Sequence, residues 1–161
     1  MKSSITPAMQ DYLEGVLILL KSRKIARVRD LARLLKVKAS SVIDALTNLT
    51  EKGLVVHERY GRIELTRRGL NMARKLYKRH CTLTSFFTQV IGVGEETAEG
   101  DACKIEHYLS RQTMDRIIDF MSYAEKSPEA FQKWLGGYNT FIGNNHANPG
   151  SDNSRGKSNK R

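Results

Sequence analysis

The sequence predicts a mainly α-helical chain of two small domains with a single β-hairpin near its middle. Apolar residues recur at helical spacing through most of residues 7–135. One stretch, Leu54 to Leu65, instead has short apolar runs flanking a Tyr60-Gly61 turn. Charge is also divided along the chain. Residues 1–80 carry 18 Lys/Arg against 7 Asp/Glu, a net of +11, whereas residues 81–144 carry 5 against 9, a net of −4. Two jobs in two domains follow from that division.

The elements can be placed in order. Thr6-Pro7 reads as an N-cap with proline at the first helical position. Tyr12, Leu13, Val16, Leu17, Leu19 and Leu20 continue a first helix to about Ser22. A basic link, residues 23–27, leads to a second helix near Val28 to Leu35. Ser40 and Ser41 read as caps of a third, with Val42, Ile43, Leu46 and Leu49 as its core face. Gly53 sits where a left-handed residue ends that helix. After the hairpin, Thr66 caps a long helix carrying Leu70, Met72, Ala73, Leu76 and Tyr77 to His80 and beyond. Phe86, Phe87, Val90 and Ile91 extend the apolar stripe to Gly92 and Gly94. Further helices are expected at Glu95 to Leu109, after Ser110 through Ile117, Ile118, Phe120 and Met121, and at Pro128 to Leu135. From Gly143 the chain turns to Asn, Gly, Ser, Lys and Arg, a composition too polar to order itself. The expected domains are residues 1–70, residues 71–142 and a disordered basic tail, residues 143–161.

Composition narrows the class. With 40% hydrophobic and 27% charged residues the chain is globular. The longest greasy run, Val16 to Leu20, falls far short of the ~18 apolar residues of a membrane span, and residues 1–7 lack the apolar core of a signal peptide. Cys81 and Cys103 do not suggest a disulfide framework, so a cytoplasmic, reducing location is expected, with no membrane partner. A net charge of +10 favours a polyanionic partner.

Helix, short helix, turn, helix and β-hairpin, in that order, describe a helix-turn-helix with a wing. The start of such a third helix enters the major groove of double-stranded DNA. Lys38, Ser40, Ser41 and Asn48 are candidates to meet bases or phosphates there. Arg59 and Arg62 flank the wing tip, placed for phosphates or the minor groove. Any one of these could be a plain solvated side chain; the basic first half favours contact by the set.

The second half carries Cys103, Glu106 and His107 three and four residues apart, on one face of an expected helix. Asp11 and Glu14 have the same spacing on the first helix, and His80 lies in the connecting helix. Thiolate, carboxylate and imidazole are the donors a divalent transition metal takes. Singly, each has an ordinary explanation: a structural histidine, a small buried cysteine, a first-turn acid.

With these runs in view the chain resembles the diphtheria toxin repressor family, which includes iron-dependent repressors and manganese transport regulators. The resemblance spans about Met9 to Tyr123. It is carried by Asp11-Tyr12-Leu13-Glu14, Ser40-Ser41-Val42, Gly53-Leu54-Val55, Leu65-Thr66-Arg67-Arg68-Gly69, Arg79-His80, Ile91-Gly92-Val93 and, most specifically, the run from Ala102 to Ser110. It implies a homodimer that binds palindromic operators when metal-loaded, its second domain binding metal and dimerising. It also implies a compact chain without the SH3-like third domain of larger members.

His80, Glu106 and His107 match ligand positions shared across that family. Asp11 and Glu14 match the manganese branch, whereas Cys103 matches the iron branch. At the ancillary site of the iron repressors this chain holds Thr84 and Glu99, so that site is altered, with Glu99 still able to bind metal. The thiolate favours Fe²⁺ and the hard acids favour Mn²⁺; Fe²⁺ is expected first, with Mn²⁺ close behind. Two other readings remain. One is a thiol-redox regulator using Cys103 or Cys81. The other is a small metallohydrolase, which would need a nucleophile or general base beside an open metal position.

Overall fold

A computed structural model describes residues 5–23, 25–57 and 61–146. Helix α1 (Pro7–Arg23) opens at Thr6, whose hydroxyl oxygen accepts from the Met9 amide at 3.3 Å. Helix α2 (Val28–Leu35) closes on Lys36, which takes a left-handed conformation at φ 55° and donates its amide to the Ala32 and Arg33 carbonyls.

Helix α3 (Ala39–Glu51) starts earlier than expected. Lys38 holds the cap position in extended conformation without a side-chain bond, so Ser40 and Ser41 lie within the first turn and do not cap it. Val42, Ala45, Leu46 and Leu49 are its buried face. Ile43, expected in that face, is 48% exposed. The i, i+3, i+4, i+7 stripe that starts at Val42 carries its neighbour off to the side.

Strand β1 (Val55–His57) pairs antiparallel with β2 (Ile63–Leu65), matching Val55 with Leu65 and His57 with Ile63. Gly53, at φ +65°, turns the chain from α3 toward β1 as expected. Ile63 also donates its amide to the Ala26 carbonyl at 2.9 Å, tying the hairpin to the link before α2. Arg59 and Tyr60, at the expected wing tip, lie outside the described residues.

Helix α4 (Arg67–Phe86) begins at Thr66, whose Oγ1 accepts from the Gly69 amide at 3.0 Å and donates to the Gly53 carbonyl at 2.8 Å. It loosens into a π-helical turn, Phe87–Ile91, that ends at Gly92 with φ +81°. Helix α5 (Glu95–Ile105) is shorter than expected: residues 106–109 are turns, although the Leu109 amide still reaches the Ile105 carbonyl.

Leu13, Leu31, Val42, Leu46, Leu49, Leu54 and Ile63 are fully buried in one core, which Ala73 and Leu76 of α4 share. Packing therefore divides the chain after Met114, with the expected boundary at residues 70 and 71 inside the first unit.

In the remainder, α6 (Arg111–Lys126) follows Ser110, whose Oγ accepts from the Thr113 amide, and α7 (Pro128–His146) follows it. Helix α7 runs well past the expected Leu135, and past Gly143 where disorder was expected to begin. Aromatic stacking offsets its glycines: Trp134 stacks on Phe131 and Tyr138 with centroids 6.0 and 5.6 Å apart. Residues 147–161 lie outside the described residues.

Candidate metal centre

Three elements of the first unit converge on one acid-rich cluster. Helix α1 supplies Asp11 and Glu14 one turn apart. Helix α4 supplies His80, and α5 with its following turn supplies Glu99, Glu106 and His107. The single donor atoms of Asp11, Glu106 and His107 all lie within 4.8 Å of one another. Glu14 and Glu106 are buried, at 6% and 3% exposure. The α5 helix ends just before Glu106, yet that residue keeps helical backbone angles, so the predicted face survives into the turn.

The contacts form a chain. His107 Nε2 lies 2.6 Å from Asp11 Oδ1 and 3.4 Å from Glu106 Oε1. His80 Nδ1 lies 3.5 Å from Glu106 Oε2, and its Nε2 lies 3.0 Å from Glu99 Oε1. Thr84 Oγ1 reaches the other Glu99 oxygen at 3.5 Å. Cys103 is exposed and its sulfur is not among the clustered donors, although the acids of the centre act on it.

Four carboxylates share this pocket with two imidazoles, and the ionisations record the strain. Burial pushes Glu14 up to about 7, with the charge of Glu106 adding to the effect. Burial likewise raises Asp11, against the opposing pull of His107. The polar contact with Glu106 raises His80 to about 9, burial opposing it and Glu99 reinforcing it. Burial, then the charge of Asp11 and the other acids, pushes the Cys103 thiol up.

Two observations test whether this donor set fits a cation. Glu106 Oε2 is buried without a hydrogen-bond partner of adequate geometry. His107 Nε2 lies 2.6 Å from Asp11 Oδ1, a contact that a proton on Nε2 bridges and that a cation held by both atoms would replace. Oxygen and imidazole donors around an orphaned carboxylate suit a divalent ion. The chain thus carries a metal-binding site of Asp, Glu and His.

Gln10 and Arg79 were not read from the sequence as parts of this site. The Gln10 amide nitrogen donates to the Ile5 carbonyl at 3.3 Å, which turns its Oε1 toward His107 Nδ1 at 3.1 Å. Nδ1 therefore carries hydrogen and Nε2 is the donor atom turned to the cluster. Arg79 donates to the Glu106 carbonyl and fixes the turn. A glutamine before an acid carries no local signal; the pairing spans most of the first unit. Gln10→Leu is expected to weaken Mn²⁺ binding about tenfold, with Gln10→Glu restoring it. A spin-resonance titration of free Mn²⁺ checks this, and wild-type affinity in Gln10→Leu would refute it.

The expected DNA-facing residues are separate from this centre. Lys38, Ser40, Ser41, Asn48 and Arg62 are all exposed in the winged-helix part. The Asn48 side-chain amide donates to the Asp44 carbonyl at 2.9 Å. No helix among the described residues is long and apolar enough to cross a membrane.

A winged helix whose first helix also furnishes ligands to a buried carboxylate–imidazole centre defines a metal-responsive DNA-binding regulator. Known proteins agree. Residues 4–63 match the model of the iron dependent repressor N-terminal DNA binding domain, and residues 66–135 match its metal binding and dimerisation domain. The chain is 37% identical over 128 residues to the HTH-type transcriptional regulator MntR of Lysinibacillus sphaericus, covering 80% of this chain and 91% of that protein. The Bacillus subtilis regulator of the same name is 37% identical, over 75% of this chain and 84% of its own length.

Among solved structures, T. acidophilum IdeR matches with a TM-score of 0.64 at 27% identity over 74% of this chain. A manganese-dependent transcriptional repressor in complex with manganese matches with a TM-score of 0.66 at 28% identity over 71% of this chain. The chain spans about half the length of these solved proteins, 55% and 53%. The chain belongs to the iron-dependent repressor family, as a metal-dependent transcriptional repressor of the two-domain helix-turn-helix type. The family is regulatory and not catalytic, which removes the metallohydrolase reading.

Proposed function

We propose that this chain represses genes of metal homeostasis by binding a palindromic operator as a homodimer when Mn²⁺ or Fe²⁺ occupies the α1–α4–α5 centre. The observation that carries this reading is the convergence of donor atoms of Asp11, Glu106 and His107 within 4.8 Å of one another, beside a buried oxygen of Glu106 without a hydrogen-bond partner. Asp11, Glu14, His80, Cys103, Glu106 and His107 would hold the ion, with Glu99 extending the donor set through His80. The ion would supply positive charge that compensates the buried acids. Asp11 and Glu14 belong to the first helix of the winged helix, so the same side chains that hold metal also hold α1 against α4 and α5. Ordering that contact favours the DNA-competent arrangement, and tenfold tighter operator binding requires only about 1.4 kcal/mol of coupling.

The sequence placed Fe²⁺ ahead of Mn²⁺ on the strength of Cys103. The thiolate of Cys103, which lies among the same acids, would favour Fe²⁺, and the oxygens of Asp11 and Glu14 would favour Mn²⁺. The likeness to a manganese-dependent transcriptional repressor in complex with manganese supports Mn²⁺. Residues 1–70 are assigned to DNA and residues 71–142 to metal binding and dimerisation, with residues 143–161 a basic tail. Exposed Tyr123, Trp134 and Phe141 on α6 and α7 support a second copy as a partner for that part. Lys38, Ser40, Ser41, Asn48, Arg59 and Arg62 are assigned to DNA.

Anaerobic fluorescence anisotropy on DNA upstream of the chain's own gene, at fixed salt, tests the proposal. Tight binding that appears with Mn²⁺ or Fe²⁺ and disappears with chelator is the expected result. Binding indifferent to metal would overturn it and favour the thiol-redox reading, in which Cys103→Ser or Cys81→Ser removes an oxidant response.

A further inference from the structure

The exposed face of α3 carries two parallel stripes of side chains. Ala39, Ile43 and Thr47 follow one another at intervals of four, and Ser40, Asp44 and Asn48 form the adjacent row. All six are exposed, and Ile43 is 48% so, although it is a large apolar residue in the most basic part of the chain. Thr47 Oγ1 donates back to the Ile43 carbonyl at 3.0 Å, which leaves its methyl as the outward group. The Asn48 amide nitrogen gives one of its two hydrogens to the Asp44 carbonyl, and its oxygen is left to accept. The first stripe therefore presents methyls, and the second presents the Asp44 carboxylate, the Asn48 oxygen and one hydroxyl. Ala39 and Ile43 also line a groove of about 640 Å³ with Ala32, Val28 and His57, edged by Arg27 and Arg29.

We propose that α3 reads thymine methyl groups through Ile43, flanked by Ala39 and Thr47, and selects T·A pairs at the centre of each half-site. This rests on the DNA-binding reading above. In the major groove a T·A pair offers a C5-methyl and the adenine N6 donor. Those are the complements of an apolar stripe beside a row of acceptors. Guanine offers two acceptors at O6 and N7 and would meet Asp44 with like polarity. Arg27 and Arg29 carry the opposite charge at the groove edge, suited to the phosphates on either side.

Deoxyuridine tests this, because it differs from thymidine by that methyl alone. Duplexes selected from a random pool by the full-length Mn²⁺-loaded protein are remade with uridine at each preferred thymine. Wild type is expected to lose about fourfold in affinity at one or two positions per half-site, the loss of one buried methyl. Ile43→Ala is expected to bind thymine and uridine duplexes alike there, with unchanged Mn²⁺ affinity and melting temperature. Metal-dependent binding in which uridine is tolerated everywhere, or in which Ile43→Ala stays as sensitive as wild type, overturns this inference and leaves the regulator reading intact. Loss of all metal-dependent duplex binding by wild type overturns both.

Discussion

Alanine at His107 is expected to abolish the response to metal and to leave weak, salt-sensitive binding to non-specific DNA. His107 contributes the one ring nitrogen that lies within reach of both Asp11 and Glu106. Removing a supporting partner of a ligand already costs ~10–100-fold in metal affinity, so removing the ligand is expected to cost roughly 100-fold or more. Glu106→Gln is expected to behave alike, since it keeps the volume and discards the charge. Mn²⁺ titration, anisotropy and metal-free melting together separate loss of the site from loss of the fold. Either variant retaining wild-type metal-dependent binding would refute the assignment. Proton competition adds a direction: with Glu14 pushed up to about 7, its proton must leave before its carboxylate can bind metal. Apparent Mn²⁺ affinity of wild type should therefore rise from pH 6 to pH 8, and Glu14→Gln should make that rise shallower, leaving the part due to loss of the His80 proton.

Local periodicity made the helices and the hairpin legible, because burial of a continuous face writes itself into spacing. Thr6-Pro7, Thr66 and Ser110 marked helix starts correctly, each offering a hydroxyl to an amide three residues on. Ser40 and Ser41 misled for the same chemical reason: they can cap, but the turn after α2 returns the chain to helix at Ala39. Helix α7 outran its expected end because stacking among Phe131, Trp134 and Tyr138 is a tertiary gain that glycine propensity does not show.

The candidate ligands on α1 and α5 were legible as i, i+3 and i, i+4 pairs. Spacing alone could not say which of Cys103, Glu106 and His107 turn inward. The structure turns Glu106 and His107 toward α1, whereas Cys103 is exposed beside the same acids. Gln10 could not be read at all, since its role depends on a histidine 97 positions away.

Gly69→Ala is expected to destabilise the winged helix by about 3 kcal/mol, lowering the melting temperature by roughly 10 °C. A Cβ at this position would stand 1.8 Å from the Leu54 carbonyl oxygen and 2.8 Å from its carbon. Those are backbone atoms, so no rotamer change relieves the clash. Nor can the carbonyl retreat freely, because it accepts from the Thr66 amide at 3.1 Å while the Leu54 side chain is buried in the core. Moving α4 outward instead would loosen the cap between Thr66 and Gly69 and pull Ala73 and Leu76 from the shared core. The consequence reaches function through the same helix, since α4 carries His80. Gly69→Ala should therefore weaken metal binding as well as melt earlier. Gly100→Ala is the control: a Cβ there meets nothing within 4 Å, and alanine inside α5 should add about 0.5–1 kcal/mol. A Gly69→Ala protein that melts within about 2 °C of wild type would show that the close approach of α4 to Leu54 is not what holds this junction.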